Sequence, residues 1–362
     1  MSEVQLMKGN EALAEAAIRA GCQGYFGYPI TPQSEILEYL ADEGRRRGMI
    51  VLQAESEVAS INMVYGAAGA GARVMTSSSS PGISLMQEGL SYIACAELPC
   101  LVVNVNRGGP GLGTIQPSQG DYFQATKGGG HGDYRLIVLA PSSVQDMADF
   151  VYLAFDLADK YRNPVMILAD GALGQMMEKV SFPDYIPAEH IPPKPWATTG
   201  KTSNRERNYI TSLHIQPEKM EQINLHLQEK YRIVAENEVR FETVHVDDAE
   251  VLIVAYGLVA RIAHKAVELA RADGIRAGLL RPITLFPFPS KPLRELAERV
   301  EGMLVVELNS GQMVEDVRLA VAGRVPVLFH GRMGGVIPSP EEITEQLVHM
   351  VKNRSAQHAE VY

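Results

Sequence analysis

The sequence predicts an α/β protein: a parallel sheet flanked by helices, followed by a second, smaller α/β domain. Three observations predict it. Short apolar, β-rich runs alternate with helical stretches through about residue 180, the order that builds parallel sheets through helical crossovers. A Pro-rich and polar stretch then breaks the rhythm, and from Ala249 the alternation resumes. With 362 residues and 46% hydrophobic content the chain is long enough for two ordinary cores.

In the first region, residues 1–181, the strand runs are YFGYP, MIVLQA, RVMTS, CLVVNVN, RLIVLA and VMILAD. Helices are expected over Asn10–Ala20, Gln33–Arg46, Ser56–Ala70, Ile83–Ala94 and Val144–Lys160, each opening near a Ser, Thr, Asn or Pro. Residues 182–247, starting FPDYIPAEHIPPKPW, read as an ordered surface linker with one helix, Pro217–Glu236. The second domain, 248–352, supplies the strands VLIVAYG, AGLLRP, MLVVELN and VPVLFH. Its helices are expected near Ala260–Arg271, Lys291–Glu301, Gln312–Ala322 and Pro340–Lys352, and residues 353–362 form a loose tail.

The formal charge of −10 argues against general binding to nucleic acid or anionic membranes, both of which need clustered Lys and Arg. The chain opens without a basic end followed by a long apolar run, and no stretch approaches about 18 uninterrupted apolar residues. A cytoplasmic protein that meets small solutes and protein partners is expected. The three cysteines, Cys22, Cys95 and Cys100, lack the CxxC spacing that assembles zinc or an iron–sulfur cluster. Their apolar neighbours make them buried, reduced thiols, in keeping with a reducing compartment.

Ligands of open α/β sheets bind beyond the carboxyl ends of the strands, so the loops after the first four strands are where a site belongs. The first, Gly27-Tyr28-Pro29-Ile30-Thr31-Pro32, offers a Thr that caps a helix opened by Pro32, or a hydroxyl and free amides for an anion. Gln53-Ala54-Glu55-Ser56-Glu57 opens a helix of small residues; its glutamates complement the macrodipole or reach a ligand. Thr76-Ser77-Ser78-Ser79-Ser80-Pro81-Gly82 carries more hydroxyls than a cap requires. The fourth loop, Asn104-Val105-Asn106-Arg107 followed by GGPGLGT, is not a dinucleotide fingerprint, because Pro110 interrupts its glycines and no helix pattern follows. Arg107 at a strand end suits a bidentate carboxylate contact, or a surface salt bridge. Together the loops offer hydroxyls, a carboxylate and a guanidinium to a small anionic organic substrate. His131 and Asp133, in a glycine-rich loop, read as turn residues or as ligand contacts.

The segments MKGNEALAEAAIRAGC, YPITPQSEI, QAESEVASINMVYGAAGAGARVMTSSSSPGISLMQEG, RGGPGLGTIQPSQGDYFQATKGGGHGD and KYRNPVMILADG resemble the 2-oxoacid:ferredoxin oxidoreductases. They are most similar to the α-type subunit of the branched-chain (2-oxoisovalerate, or 3-methyl-2-oxobutanoate) members. AYGLVARIA, LLRPITLFPFP, VVELNSGQM and HGRMGG resemble, more loosely, the transketolase C-terminal-like domain of the same subunit.

The resemblance implies a thiamine-diphosphate-binding fold in which this chain supplies the pyrimidine-binding domain. The cofactor then lies at an interface with a diphosphate-binding β-type subunit. That partner's GDG…N magnesium motif has no counterpart here, so Mg²⁺ and the iron–sulfur clusters are expected on partner subunits. A γ-type subunit and a ferredoxin-like iron–sulfur subunit complete the implied set of partners. The implied reaction joins a 2-oxoacid to CoA, giving acyl-CoA, CO₂ and reduced ferredoxin. By the same resemblance, Glu57 is the catalytic carboxyl at N1′ of the aminopyrimidine, with Glu55 ranked below it. Thr31 and Arg107 hold the substrate carboxylate. Tyr28, Pro29, Ile30, Ser78, Ser79 and Ser80 border the cofactor. A 2-oxoglutarate enzyme is the near alternative, with Lys127 or Arg73 reaching a second carboxylate. A 2-oxoacid dehydrogenase or transketolase-like subunit, and a non-catalytic scaffold, are further alternatives.

Overall fold

The structure is a computed structural model that describes residues 4–186, 190–201 and 203–359, with side chains described as far as residue 352. Of the expected loose tail, 353–362, the backbone to Ala359 continues the last helix, and residues 360–362 lie outside the described residues. The chain begins with β1 (Val4–Lys8), α1 (Gly9–Arg19), β2 (Gly24–Gly27), α2 (Ser34–Tyr39, continued by a π turn at Leu40–Gly44), β3 (Ile50–Gln53), α3 (Glu57–Gly69), β4 (Val74–Ser78) and α4 (Ser80–Cys95). It continues through β5 (Cys100–Asn106), α5 (Tyr122–Lys127), β6 (Ile137–Leu139), α6 (Val144–Tyr161), β7 (Pro164–Asp170), α7 (Gly171–Gln175), β8 (Met177–Ser181) and α8 (Pro217–Asn237). The remainder is β9 (Phe241–Val244), β10 (Val251–Val254), α9 (Gly257–Ala272), β11 (Ala277–Pro282), β12 (Thr284–Phe286), α10 (Ser290–Leu296), β13 (Gly302–Glu307), α11 (Met313–Val321), β14 (Val327–Gly331) and α12 (Pro340–Ala359).

Among the described residues the larger sheet runs β12-β6-β7-β5-β4-β2-β3 and is parallel except for β12. Side chains alternate across it as a pleat requires. Leu101, Val103 and Val105 of β5 face the core shared with α1 and α6, whereas Val102 faces the core built by α3 and α4. That second core continues without a break into one face of the smaller sheet, through Leu252, Val254, Met303 and Val305. The smaller sheet runs β14-β13-β10-β11-β9, and α9 and α12 cover its other face.

A third, two-stranded sheet pairs β1 with β8, and the chain does not keep its two larger sheets separate. LLRPITLFPFP divides: Ala277–Pro282 stays in the smaller sheet, and Thr284–Phe286 crosses to pair antiparallel with β6. β6 is a fully buried strand and would otherwise present an open apolar edge. The segment expected as linker likewise ends in β9, which pairs with β11. Burial pushes the Cys22 and Cys100 thiols up to about 12, while Cys95 is half-buried. No helix among the described residues is long and apolar enough to cross a membrane.

Candidate active site

β2 is flanked by β3 on one side and β4 on the other, so the chain reverses direction there. Open α/β sheets bind ligands at such a switch point. The loops after β5, β4, β2 and β3 thus emerge side by side, in that order, and carry Arg107, Ser78–Ser80, Tyr28–Thr31 and Glu57.

Beneath the first loop lies a buried polar chain. The Tyr25 hydroxyl is 2.8 Å from Ser77 Oγ, Ser77 donates to Gln33 Oε1 at 2.6 Å, and Gln33 Nε2 donates to the Tyr28 carbonyl at 3.2 Å. Gly27 permits it, since a Cβ there would lie 2.2 Å from the Tyr25 hydroxyl oxygen. Asn10 on α1 holds the far end of the loop by donating to the Pro32 carbonyl at 2.8 Å. The expectation that Thr31 caps a helix opened by Pro32 is corrected: α2 starts at Ser34 with Gln33 at the cap position. Tyr28 and Ile30 are left half-buried, with Pro29 and Thr31 exposed.

α3 is capped by Ser56, whose Oγ accepts the Ala59 N–H at 3.2 Å. With the cap supplied by Ser56, Glu57 is released to turn inward, and it is only 5% exposed. Its single polar contact among the described residues is a long one, from Ser78 Oγ to Oε1 at 3.5 Å. The carboxyl lies on the first turn of α4, where a Cβ on Gly82 would come 2.4 Å from Glu57 Oε1 and 2.0 Å from Ser78 Oγ. A solvated group that merely complements the helix dipole would not be buried this way. On the neighbouring elements β3, α3 and α4, Leu52, Val58 and Leu85 are exposed, and Glu55 is exposed.

Arg107 stands on the other side of the α4 turn. Its Nη1 donates to the Thr31 carbonyl and its Nη2 to the Leu112 carbonyl, each at 2.9 Å, while Nε is buried without a partner among the described residues. The structure thus joins Thr31 and Arg107, through the Thr31 main chain. The serines separate by role. Ser78 meets Glu57; Ser79 Oγ is buried and unpartnered among the described residues; Ser80 Oγ donates to Asp121 Oδ2 at 2.6 Å and accepts the Arg107 N–H at 3.0 Å.

A cleft of about 410 Å³ opens beside Arg107, lined by Ser80, Pro81, Ser84 and the Gly109-Pro110-Gly111 turn. Its opposite wall comes from the second domain: Leu308, Asn309, Ser310, Gln312, Met333 and Gly334. Sequence reasoning left this wall unassigned; VVELNSGQM and HGRMGG were its signals. Two expected charges lie elsewhere. Arg73 precedes β4, at the opposite end of the sheet, and is 3% exposed and paired with Asp159 at 2.7 Å. Lys127 pairs with Asp316. Asp133 accepts from Gln228 through its main chain, and Gly130 N–H donates to the Tyr134 hydroxyl, as in a structured turn.

Residues 15–245 match the family model described as pyruvate flavodoxin/ferredoxin oxidoreductase, thiamine diphosphate-binding, and residues 249–343 match pyruvate:ferredoxin oxidoreductase core domain II. The chain is 55% identical over 345 residues to ketoisovalerate oxidoreductase subunit VorB of Methanothermobacter thermautotrophicus, covering 95% of this chain and 97% of that protein. It is 38% identical to 2-oxoglutarate synthase subunit KorA of Methanothermobacter marburgensis, over 97% of this chain and all of the relative. Among solved structures, the 2-oxoglutarate:ferredoxin oxidoreductase of Magnetococcus marinus superposes with a TM-score of 0.86 at 28% identity. That likeness covers 96% of this chain, which spans 65% of the length of the solved one.

Proposed function

Because the chain belongs to the 2-oxoacid:ferredoxin oxidoreductase family, as one subunit of a thiamine-diphosphate-dependent, multi-subunit enzyme, we propose that it provides the pyrimidine half of the cofactor site and the carboxylate clamp for a branched-chain 2-oxoacid. Bound thiamine diphosphate supplies the electron sink into which a 2-oxoacid decarboxylates.

The observation that carries this reading is the buried carboxyl of Glu57, which no cation meets among the described residues. A carboxylate removed from water without a cation or a good donor is costly, and the group has no close donor of its own among the described residues. A protonated ring nitrogen supplies what is missing, so Glu57 holds a proton at N1′ of the aminopyrimidine. Tyr28, Pro29, Ile30 and Ser78 border the ring. Ser79, with a free buried hydroxyl, is better placed to meet it than Ser80, whose hydroxyl is committed. The exposed apolar rim of Leu52, Val58 and Leu85 is where a diphosphate-binding β-type subunit closes the site. Mg²⁺ belongs to that subunit and the iron–sulfur clusters to partner subunits, a ferredoxin-like one among them; a γ-type subunit completes the complex.

Arg107 and Thr31 orient the 2-oxoacid carboxylate. Orientation is the protein's main contribution to a decarboxylation, whose electrons must flow along one axis. The side chain of the substrate then meets Pro81, Pro110, Leu308 and Met333, an apolar set that fits a branched aliphatic group. Neither Arg73 nor Lys127 reaches the cleft to hold a second carboxylate, which disfavours 2-oxoglutarate. The ketoisovalerate name of the more similar relative agrees. The test is turnover of the assembled complex with 2-oxoisovalerate, pyruvate and 2-oxoglutarate, with CoA and ferredoxin or a viologen dye. A kcat/KM highest for 2-oxoglutarate refutes the substrate assignment.

A further inference from the structure

We infer that Asp121 is a positioning residue for the 2-oxoacid, holding the main chain of Arg107 in place through the Ser80 hydroxyl while the second domain holds Asp121. This rests on the reading of Arg107 as the carboxylate clamp. Asp121 Oδ2 accepts from Ser80 Oγ at 2.6 Å and from Asn104 Nδ2 at 2.8 Å. The other end of the Asn104 amide accepts the Ser80 N–H at 3.2 Å, which closes a ring of polar contacts. A serine hydroxyl has one proton. Given to the carboxylate, it leaves the oxygen lone pairs for the Arg107 N–H at 3.0 Å. The guanidinium therefore departs from a main chain anchored by a charge-assisted contact, among the stronger and more directional kinds.

Asp121 is fixed in turn by its neighbours in sequence. Gln312 Nε2 donates to the Gly120 carbonyl at 2.8 Å, and Gln312 Oε1 accepts the Phe123 N–H at 2.8 Å. The Tyr122 hydroxyl donates to Asp316 at 2.6 Å. Gln119 and Leu308 exchange two hydrogen bonds, both at 3.0 Å. Behind this clamp Glu307, fully buried, accepts from Asn309 and from the amides of Met313 and Val314 at 2.8 to 3.0 Å. The second domain thus reaches the substrate side of the site through hydrogen bonds to the main chain and side chains on either side of Asp121, whereas Glu57 is met separately by Ser78.

Asp121→Asn in the assembled complex tests the inference. The KM for the 2-oxoacid rises about 5- to 30-fold, as expected for a weakened charge-assisted contact. The kcat stays within about threefold and thiamine diphosphate binds as before, because Glu57 is untouched. Ser80→Ala, which removes one atom, reproduces the effect and carries the test if the Asn variant does not assemble. In an Arg107→Ala background Asp121→Asn adds less than about twofold, because the two act through one group. An unchanged KM in both Asp121→Asn and Ser80→Ala, while Arg107→Ala raises it, overturns this inference alone. So does a loss of thermal stability with kcat lowered and KM unaltered, the signature of a merely structural residue. If Arg107→Ala leaves KM unchanged, the clamp reading falls and this inference falls with it.

Discussion

Replacing Glu57 by Gln keeps the shape of the side chain and removes its charge, and the structure sets opposite scales for the effects on stability and on turnover. In the isolated chain the side chain is 5% exposed and makes one contact, at 3.5 Å, the outer limit of a hydrogen bond. Losing it costs at most about 1 kcal/mol, and relieving a buried charge offsets part of that. The unfolding midpoint should therefore move by less than about 4 °C. In the assembled enzyme the same change removes a proton-holding group, typically a loss of about 10²- to 10⁴-fold in kcat, or about 2.7 to 5.4 kcal/mol of transition-state stabilisation. Thermal unfolding of the chain and viologen reduction by the complex, at saturating cofactor, read the two scales side by side. Gly82→Ala provides a steric companion: its Cβ would press on the Glu57 carboxyl, so turnover falls with residue 57 intact. Turnover of Glu57→Gln within about threefold of wild type would refute the reasoning, and a large drop in stability would reassign the carboxyl to the fold.

Arg107→Ala should raise the KM for the 2-oxoacid about 10- to 100-fold, the worth of a charge-assisted carboxylate contact, measured by steady-state kinetics at saturating CoA. Asp170, whose Oδ1 accepts the amides of Ala172 and Leu173, has its carboxyl pushed up to about 6 by burial. The folded state therefore binds this proton more tightly than the unfolded chain, where a carboxyl titrates near about 4. Its contribution to stability is largest below about pH 4 and declines as pH rises through about 6; Asp170→Asn should flatten that slope in denaturant midpoints taken across this range. A chain cut after residue 247 loses β12, which covers the buried edge of β6. It should aggregate or lose its near-ultraviolet circular dichroism, and a cooperative, soluble fragment would show the first sheet closing by itself.

The buried central strands and the longer helices were legible because periodicity reports local burial, and Val74–Ser78 or Cys100–Asn106 are buried along their whole length; β9, β12, α5 and α7 were not. What was not legible is non-local. Thr284–Phe286 looks like the tail of a strand in the second domain, and only the exposed edge of a sheet about 140 residues earlier in the chain explains its crossing. The candidate site divides along the same line. The loops that carry Glu57, the serine run and Arg107 stood out because loops after parallel strands must share one edge, and the family resemblance singled out Glu57 and Arg107 within them. The division of labour among the serines did not, since Ser77 faces Tyr25 and Gln33 while Ser80 faces Asp121, and identical side chains carry no sign of which way each points. Arg73 misled for a simpler reason. It stands at the start of β4, and a parallel strand presents ligands only at its finish.

Burial of Glu57 without a cation requires a compensating field, and the helix ends provide one. The carboxyl begins α3 and rests against the first turn of α4, so two positive helix termini converge on it. Their nearby amides are committed: Ala59 to Ser56, Ser80 to Asn104, and Gly82 to the Ser79 carbonyl. Apart from the long contact from Ser78 Oγ, the carboxylate is thus held by dipoles, a contribution of about 0.3–1 kcal/mol per terminus and up to about 2 when partly buried. Desolvation of a carboxylate costs several kcal/mol even after relaxation. The field acts on the group without giving it a close donor among the described residues. A ligand that arrives with a proton on a ring nitrogen makes up the difference, so the same atom that the chemistry depends on also favours capture of the cofactor.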